Sequence, residues 1–269
     1  MRHRLSLAAI MFAAASNSAF AGVVITSTQV NLASQEASPI SGFVEADRLK
    51  IVTPGNTVIF RGDLQRTWVI GTAASTYVEI TPEVVTAFAA RLAAAQTPGS
   101  AEQAKLQERL AKLPPQQRAI AEQQLRGLGA GAAAARQVAY AKTGQAKAVS
   151  AWQCEVYGKS VSGQKQEELC IVPISTVGLT DADFRVLDMF AAFMGPLATS
   201  PMAPRADYFN WADMNKAIGF SGIPLEATLL SDGRPALQDT MQKIERVDIP
   251  ADTFDLPAGL TKRELTGLR

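Results

Sequence analysis

Residues 48–80 read RLKIVTPGNTVIFRGDLQRTWVIGTAASTYVEI, a series of short apolar runs separated by turn residues. Basic and apolar residues alternate in the first run, so Leu49 and Ile51 are predicted to share one face of a strand. Pro54 and Gly62 lie in segments that favour tight turns. The predicted strands cover 48–51, 57–60, 66–70 and 75–80. Short strands at this spacing predict an antiparallel meander.

After the meander the sequence changes to a helical pattern. Residues 81–83 are Thr-Pro-Glu, which supplies an N-cap, a proline at the first helical position and an acid in the first turn. One helical face then carries three large apolar residues, Val85, Phe88 and Leu92. We therefore predict a helical insertion over about 82–127, followed by a flexible Gly/Ala-rich linker at about 127–136.

Strand signals return later in the chain. The predicted strands are 137–175, 223–230 and 236–247, and the predicted helices are 180–194 and 207–216. Asp232-Gly233 is a hairpin signal between the last two strands. A meander that stopped at Ile80 would leave an open edge and an uncovered face. We therefore interpret the chain as one sheet to which three separate segments of the sequence contribute strands. This predicts a single α+β domain over 22–269, in which a curved antiparallel β-sheet forms an unclosed half-barrel with helical insertions packed on one side.

The first 21 residues have the organisation of a secretory signal peptide. Arg2 and Arg4 precede the uncharged run Leu5–Ala15, and Ala19-Phe20-Ala21 is a cleavage site of the A-x-A type. Cleavage would leave Gly22 as the first residue. The apolar run is shorter than the roughly 20 residues that a membrane-spanning helix needs. We therefore expect an exported, soluble periplasmic protein with no integral membrane segment after cleavage.

Export changes what the composition implies. The 269 residues carry 26 basic and 25 acidic side chains and one histidine, His3. Loss of Arg2, His3 and Arg4 leaves 24 basic residues, a net charge of −1 and no histidine. A charge near zero argues against a nucleic-acid binder. Without histidine the usual Ser-His-Asp, Cys-His and zinc sites cannot form, so we expect no enzyme activity, catalytic residue, metal or cofactor.

Cys154 and Cys170 are predicted to form a disulfide across a β-hairpin. If Val161-Ser162-Gly163 is a three-residue loop, the two cysteines are directly opposed on neighbouring strands, where Cβ atoms come within disulfide range. An oxidising compartment favours the bond. Two alternatives remain open: a pair of buried free thiols, and a redox-active pair, although no C-x-x-C motif is present.

The order of several short motifs resembles an exported bacterial family of domains of unknown function. The motifs are Arg48-Leu-Lys-Ile51, Phe60-Arg-Gly-Asp63, Trp68-Val-Ile70, Tyr77-Val-Glu-Ile80, Lys112-Leu-Pro-Pro-Gln-Gln-Arg118, Trp152-Gln-Cys-Glu-Val-Tyr157 and Phe254 with Pro257-Ala-Gly259. That family is similar in layout to the LolA/LolB lipoprotein carriers. The resemblance implies an unclosed β-barrel whose helices cover an apolar cavity for acyl chains. No carrier cavity residue matches a position here.

These observations give two functional hypotheses. In the first, a non-enzymatic periplasmic protein sequesters a hydrophobic ligand, a lipid or an acylated peptide, between sheet and helices. The predicted lining is Leu49, Ile51, Ile59, Trp68, Ile70 and Val78 from the strands, with Val85, Phe88 and Leu92 as a lid. In the second, the core is fully packed and the chain is an interaction module that binds an envelope protein through its polar segment 100–127.

Overall fold

A computed structural model describes residues 22–73, 75–96, 99, 101–111, 137–198 and 211–264. The predicted signal peptide, residues 112–127 of the predicted helical insertion and the linker at about 127–136 lie outside these ranges. Gly22 is the first residue of the first strand. A Cβ at this position would lie 2.3 Å from Cδ1 of Ile249, so the close approach of the two segments requires glycine there.

The described strands join one sheet. Its twelve strands are β1 (Gly22–Asn31), β2 (Ala37–Val44), β3 (Arg48–Val52), β4 (Asn56–Arg61), β5 (Arg66–Gly71), β6 (Thr76–Ile80), β7 (Val138–Val149), β8 (Trp152–Val161), β9 (Gln164–Pro173), β10 (Gly222–Ser231), β11 (Arg234–Val247) and β12 (Thr261–Lys262). The spatial order is β12-β6-β5-β4-β3-β2-β1-β11-β10-β9-β8-β7. The sheet is not closed. The prediction that three separate segments of the sequence contribute strands to one sheet is confirmed for the described residues.

The sheet is mixed rather than purely antiparallel. β12 runs parallel to β6, with Thr261 opposite Thr76 and Lys262 opposite Tyr77. The meander β2 to β6 has the predicted antiparallel connections, and its centre is the pairing of β4 with β5.

Two tight hairpins show why their sequences turn where they do. Asp232 and Gly233 have φ values of 52° and 74° between β10 and β11, as the Asp-Gly signal predicts. Ser162 and Gly163 have φ values of 51° and 80° between β8 and β9. Positive φ at both central residues is typical of a type I′ turn, which suits the twist of paired strands.

The described helices are α1 (Pro82–Gln96), α2 (Ala101–Ala111), α3 (Arg185–Ala198) and α4 (Trp211–Ile218). α1 begins at the predicted proline, and the backbone N–H of Val84 is 3.5 Å from Oγ1 of Thr81. A 3-10 turn at Asp181–Phe184 precedes α3, and Thr180 and Asp183 form a capping box there. Within the described ranges, no helix is long and apolar enough to span a membrane.

The main core lies where α1 and α3 cover the sheet. Leu49 of β3 and Phe60 of β4 pack in one cluster with Val85 of α1 and with Phe190 and Phe193 of α3. We call this cluster the main core and the sheet surface beneath it the inner face. It also includes residues of β8 and β9, namely Cys154, Val156, Cys170 and Val172. Because one cluster joins strands this far apart in the sheet order, the sheet must curl around it.

The prediction that all helical insertions pack on one side is wrong for α4. Met214 of α4 belongs to a separate cluster with Tyr157, Leu169 and Ile171. Tyr157 follows Val156 of the main core, and successive side chains of a strand point to opposite faces. α4 therefore covers the outer face of β8 and β9, because the apolar side chains on both sides of these strands need cover.

The outer face of the meander is covered by the segment 248–260. Ile249 and Phe254 pack against Ile59, Trp68 and Ile70. Polar contacts hold this segment at its edges. Lys50 Nζ donates to the Thr253 carbonyl at 3.0 Å, and Arg61 forms ion pairs with Asp63 and Asp255. The guanidinium of Arg48 lies 5.1 Å from the centroid of the Phe254 ring.

Candidate functional site

A cavity of about 400 Å³ adjoins the main core where β1, β3, β10 and β11 come together. Its lining residues are Ser27, Gln29, Ile51, Pro224, Leu225, Ala227, Leu229, Leu237, Asp239 and Met241. The volume falls within the roughly 300–1,000 Å³ that is typical of small-molecule sites. Leu225 belongs to the main core, and Ile51 and Met241 pack against it. The cavity is thus an unfilled continuation of the core.

Irregular strand pairing accompanies the cavity. The β1–β11 register shifts between Thr26 and Ser27, and the β9–β10 register shifts between Pro224 and Glu226. A third shift separates Leu229 from Leu230 in the pairing of β10 with β11. Such bulges bend a strand and re-aim its side chains. Pro224 fits this position because proline cannot donate a ladder hydrogen bond and is tolerated at bulges.

Asp239 is the charged residue of the lining. Its ladder neighbour on β1 is Gln29, and the hydroxyl of Ser27 donates a hydrogen bond to its side chain. Burial raises the pKa of Asp239 above its usual 3.8, against the smaller opposite effect of the Ser27 hydrogen bond. The wall therefore combines apolar side chains with three convergent polar groups, an arrangement that can bind an amphiphile and orient it.

The structure divides the predicted ligand-binding residues among several places. Ile51 lines the cavity, whereas Leu49 and Val85 are buried in the main core. Val78 is half-buried opposite Val69 of β5. Three members lie on the outer face under the C-terminal segment, namely Ile59, Trp68 and Ile70. In α1, Phe88 is half-buried, and the side chain of Leu92 lies outside the described part.

The structure does not bring the predicted lining residues together, for a physical reason. At α1 and β3–β4, where we expected a cavity, aromatic rings of α3 pack against Phe60. The Phe60 ring centroid lies 5.1 Å from that of Phe190 and 5.4 Å from that of Phe193. Side chains on alternate positions of β4 and β5 also point to opposite faces, so Ile59 and Trp68 cannot share a lining with Leu49.

The predicted disulfide is present, with a different geometry. Cys154 and Cys170 are bonded, and their Cα atoms are 5.4 Å apart. Cys170 pairs directly with Val156, so Cys154 is its diagonal neighbour rather than its direct partner. The expected three-residue loop is wrong because Val161 pairs with Gln164, which leaves two turn residues and places a bulge between Lys159 and Ser160.

The sequence of β11 contains a signal for the cavity, a carboxyl group between two apolar residues. Asp239 lies between Leu237 and Met241 at spacings of two, so strand alternation places a carboxyl group on an apolar face. Asp239 is half-buried there, and a carboxyl group on an apolar strand face is unusual in a packed core. Pro224 within an apolar strand is a second signal, because it predicts a bulge.

Comparisons with known proteins leave the chain without a family assignment. No family model and no curated protein matches the sequence. Among solved structures, the chain is similar to one described as "Structure of PNGF-II in C2 space group". The similarity has a TM-score of 0.36 and 8% identity, and it covers 91% of this chain and 31% of that chain. The chain thus spans less than a third of that protein.

Proposed function

We propose that this chain is a non-enzymatic periplasmic binding protein that sequesters a hydrophobic ligand, a lipid or an acylated peptide, in the cavity beside Leu225. The fold would then be a LolA-like half-barrel whose ligand site lies further along the inner face than the helical lid. The observation that carries this proposal is the cavity of about 400 Å³ with its largely apolar wall.

The mechanism is the removal of apolar ligand surface from water. Burial contributes roughly 25 cal/mol per Å², so an alkyl chain gains free energy in proportion to the surface that it hides. Leu229, Leu237 and Met241 offer such surface along β10 and β11. A cavity that already exists avoids the cost of opening a packed core.

Export is supported by the pattern of residues 1–21 and by the Cys154–Cys170 bond. Disulfides persist in oxidising compartments such as the bacterial periplasm. N-terminal sequencing of protein secreted by an expressing bacterium tests this part. A mature chain that begins at Gly22 is expected, and recovery of the uncleaved chain in the cytoplasm would contradict export.

Native mass spectrometry and displacement of a fluorescent fatty alcohol by 1-decanol test the binding function. Leu229→Trp is expected to occupy the cavity and to weaken probe binding at least tenfold. Leu64→Trp is the matched control, since Leu64 is 48% exposed and lies in the turn between β4 and β5. The control should bind the probe as the unmodified chain does.

Two results would overturn the proposal. One is protein purified from its own host with no extractable lipid together with no displaceable probe binding. The other is equal loss of binding in Leu229→Trp and Leu64→Trp, which would place the probe on the surface and not in the cavity. Thermal unfolding of both variants shows whether either has lost its fold.

A second candidate is an interaction module that binds an envelope protein and takes no ligand. It is favoured by the packing of Phe60 of β4 against Phe190 and Phe193 of α3, where the lid was expected to cover a cavity. Crosslinking in the expressing cell, with and without residues 100–127, tests it. A partner that is lost on deletion supports this function, and an unchanged set of partners contradicts it.

A further inference from the structure

The chemistry of the cavity wall restricts the kind of ligand. We propose that the cavity takes an amphiphile whose alkyl chain ends in a positively charged amine, with Asp239 as the counter-ion of that amine. This inference rests on the proposed binding function. It goes further because it names the head group and the residue that selects it.

The position of Asp239 supports a role in binding. Its side chain borders the cavity together with Ser27 and Gln29, so the three polar groups form one patch in an otherwise apolar wall. Leu237 and Met241 flank it on the same strand, and both line the cavity. An alkyl chain that lies against either of these apolar neighbours can therefore place its polar end at Asp239.

The electrostatics favour a cation. Among the described residues, burial and the Ser27 hydrogen bond are the influences on the pKa of Asp239, and no lysine or arginine contributes. A carboxylate accepts several hydrogen bonds, so one hydroxyl does not satisfy it. A buried charge is strongly favoured when it is paired with an opposite charge. A ligand ammonium would supply that charge, whereas a fatty-acid carboxylate would be repelled.

The neighbouring charged groups are already engaged. Glu226 of β10 is paired with Lys147 of β7, and Glu167 of β9, which lies opposite the lining residue Leu229, is paired with Lys159 of β8. These side chains neutralise each other outside the cavity lining. The carboxylate of Asp239 thus defines the charge that the cavity presents to a ligand.

Three ten-carbon probes separate the head groups while holding the tail constant. Decylammonium, 1-decanol and decanoate are titrated into the full chain at neutral pH by calorimetry, below their micelle concentrations. We expect decylammonium to bind about tenfold more tightly than 1-decanol, since a hydrogen bond to a charged group is worth about that factor. Decanoate should bind most weakly.

Variants of Asp239 assign the effect to this residue. Asp239→Asn is expected to make decylammonium and 1-decanol equal, and Asp239→Glu to restore the preference. Asp232→Asn is the matched control, because Asp232 is exposed in the turn of the same hairpin and asparagine suits its positive φ. This control should keep the preference for decylammonium.

The outcomes distinguish the inference from the function on which it rests. Equal binding of all three probes, or a preference that survives in Asp239→Asn, overturns the inference and leaves the binding function standing. No binding of any probe overturns both. Nα-decanoyl-lysine amide and lysophosphatidylethanolamine then identify the source, since tighter binding of the first indicates an acylated peptide and of the second an aminolipid.

Discussion

The main core is filled at one end and hollow at the other. At the filled end, Phe60 of β4 is fully buried and contacts Phe190 and Phe193 of α3. At the hollow end, Leu225 and Met241 border a cavity whose lining residues all come from strands. The strand β1 crosses both regions, and its burial declines from the fully buried first residues to half-buried positions further along.

The difference shows what fills a curled sheet. Strand side chains alone leave space on a concave surface, and large side chains from a covering helix close it. α3 supplies two phenylalanines at the filled end. At the hollow end, bulges near Ser27 and Leu225 bend the strands apart, and no described helix contributes a lining residue. The hollow end is therefore less closely packed than the filled end, as the proposed binding function requires.

Truncation of one side chain at each end should give the largest difference in the free energy of unfolding. Phe60→Ala is expected to lower the free energy of unfolding by about 3–5 kcal/mol, because it opens a cavity among packed rings. Leu237→Ala only enlarges an existing cavity and should cost less than about 2 kcal/mol. Urea denaturation of both variants measures the difference. Equal costs would mean that the two regions do not differ in packing.

Removal of the disulfide tests how firmly the strands of the main core are held together. The double variant Cys154→Ala/Cys170→Ala is expected to lose about 2–4 kcal/mol, since the bond closes a loop with a sequence separation of 16 and joins adjacent strands of the main core. Ligand-probe binding should persist in the folded variant because the cavity lining excludes both cysteines. Denaturation with and without reductant measures the loss, and an unmodified chain insensitive to reductant would contradict it.

Enlargement of a side chain should have opposite consequences at the two ends. Val44→Phe adds volume to the filled end, where Val44 is buried, and should cost about 1–3 kcal/mol. Leu229→Phe adds volume beside the cavity and should change stability by less than about 1 kcal/mol. Thermal unfolding compares the two. A destabilisation by Leu229→Phe as large as that by Val44→Phe would show that the cavity does not accept further atoms.

The pH dependence of stability should reveal the carboxyl group of the hollow end. Burial raises the pKa of Asp239 in the folded chain, so the folded state holds its proton to higher pH than the unfolded state. Stability contributed by this group is therefore present at low pH and falls as pH rises from about 3.8 through the folded pKa. Asp239→Asn should remove that fall and should be more stable than the unmodified chain at neutral pH. This is expected to be the smallest of the stability changes predicted here.

Asp183 is the internal reference for that experiment. Burial acts to raise its pKa, but hydrogen bonds from Arg246 and Thr180 outweigh this and lower it below 3.8. Its contribution has the opposite sign, since stability is present above about pH 3.8 and is lost as pH falls through the folded pKa. Asp183→Asn should thus destabilise the chain at neutral pH. Parallel pH profiles of the two asparagine variants would contradict both assignments.

Local patterns predicted the elements well because each depends on neighbouring residues. The start of α1 at Pro82 follows from the local residues 81–83. The turn at Asp232-Gly233 follows from the positive φ that glycine and aspartate tolerate. The joining of Cys154 to Cys170 also followed, since two cysteines on paired strands of one hairpin remain close even when the register shifts by a residue or two.

The candidate site could not be predicted in the same way. Alternation assigns side chains to two faces but does not say which face meets a helix, so Ile59 and Trp68 were grouped with Leu49 although they lie on the outer face. One bulge at Pro224 changes which residues align across β9 and β10. Cavity walls and cores are built of the same apolar residues. The residues around Leu225 in the sequence therefore do not indicate that it borders a cavity.

The sequence by itself determined the strands of the meander, the start of α1, the turn at Asp232-Gly233 and the pairing of the two cysteines, because these depend on φ preferences and on contacts along a few residues. The tertiary structure decided which apolar residues are core, that α4 lies on the outer face, and that Asp239 borders a cavity. Those outcomes depend on how twelve strands curl around the aromatic rings of α3, which brings together β3 and β10 from distant parts of the chain.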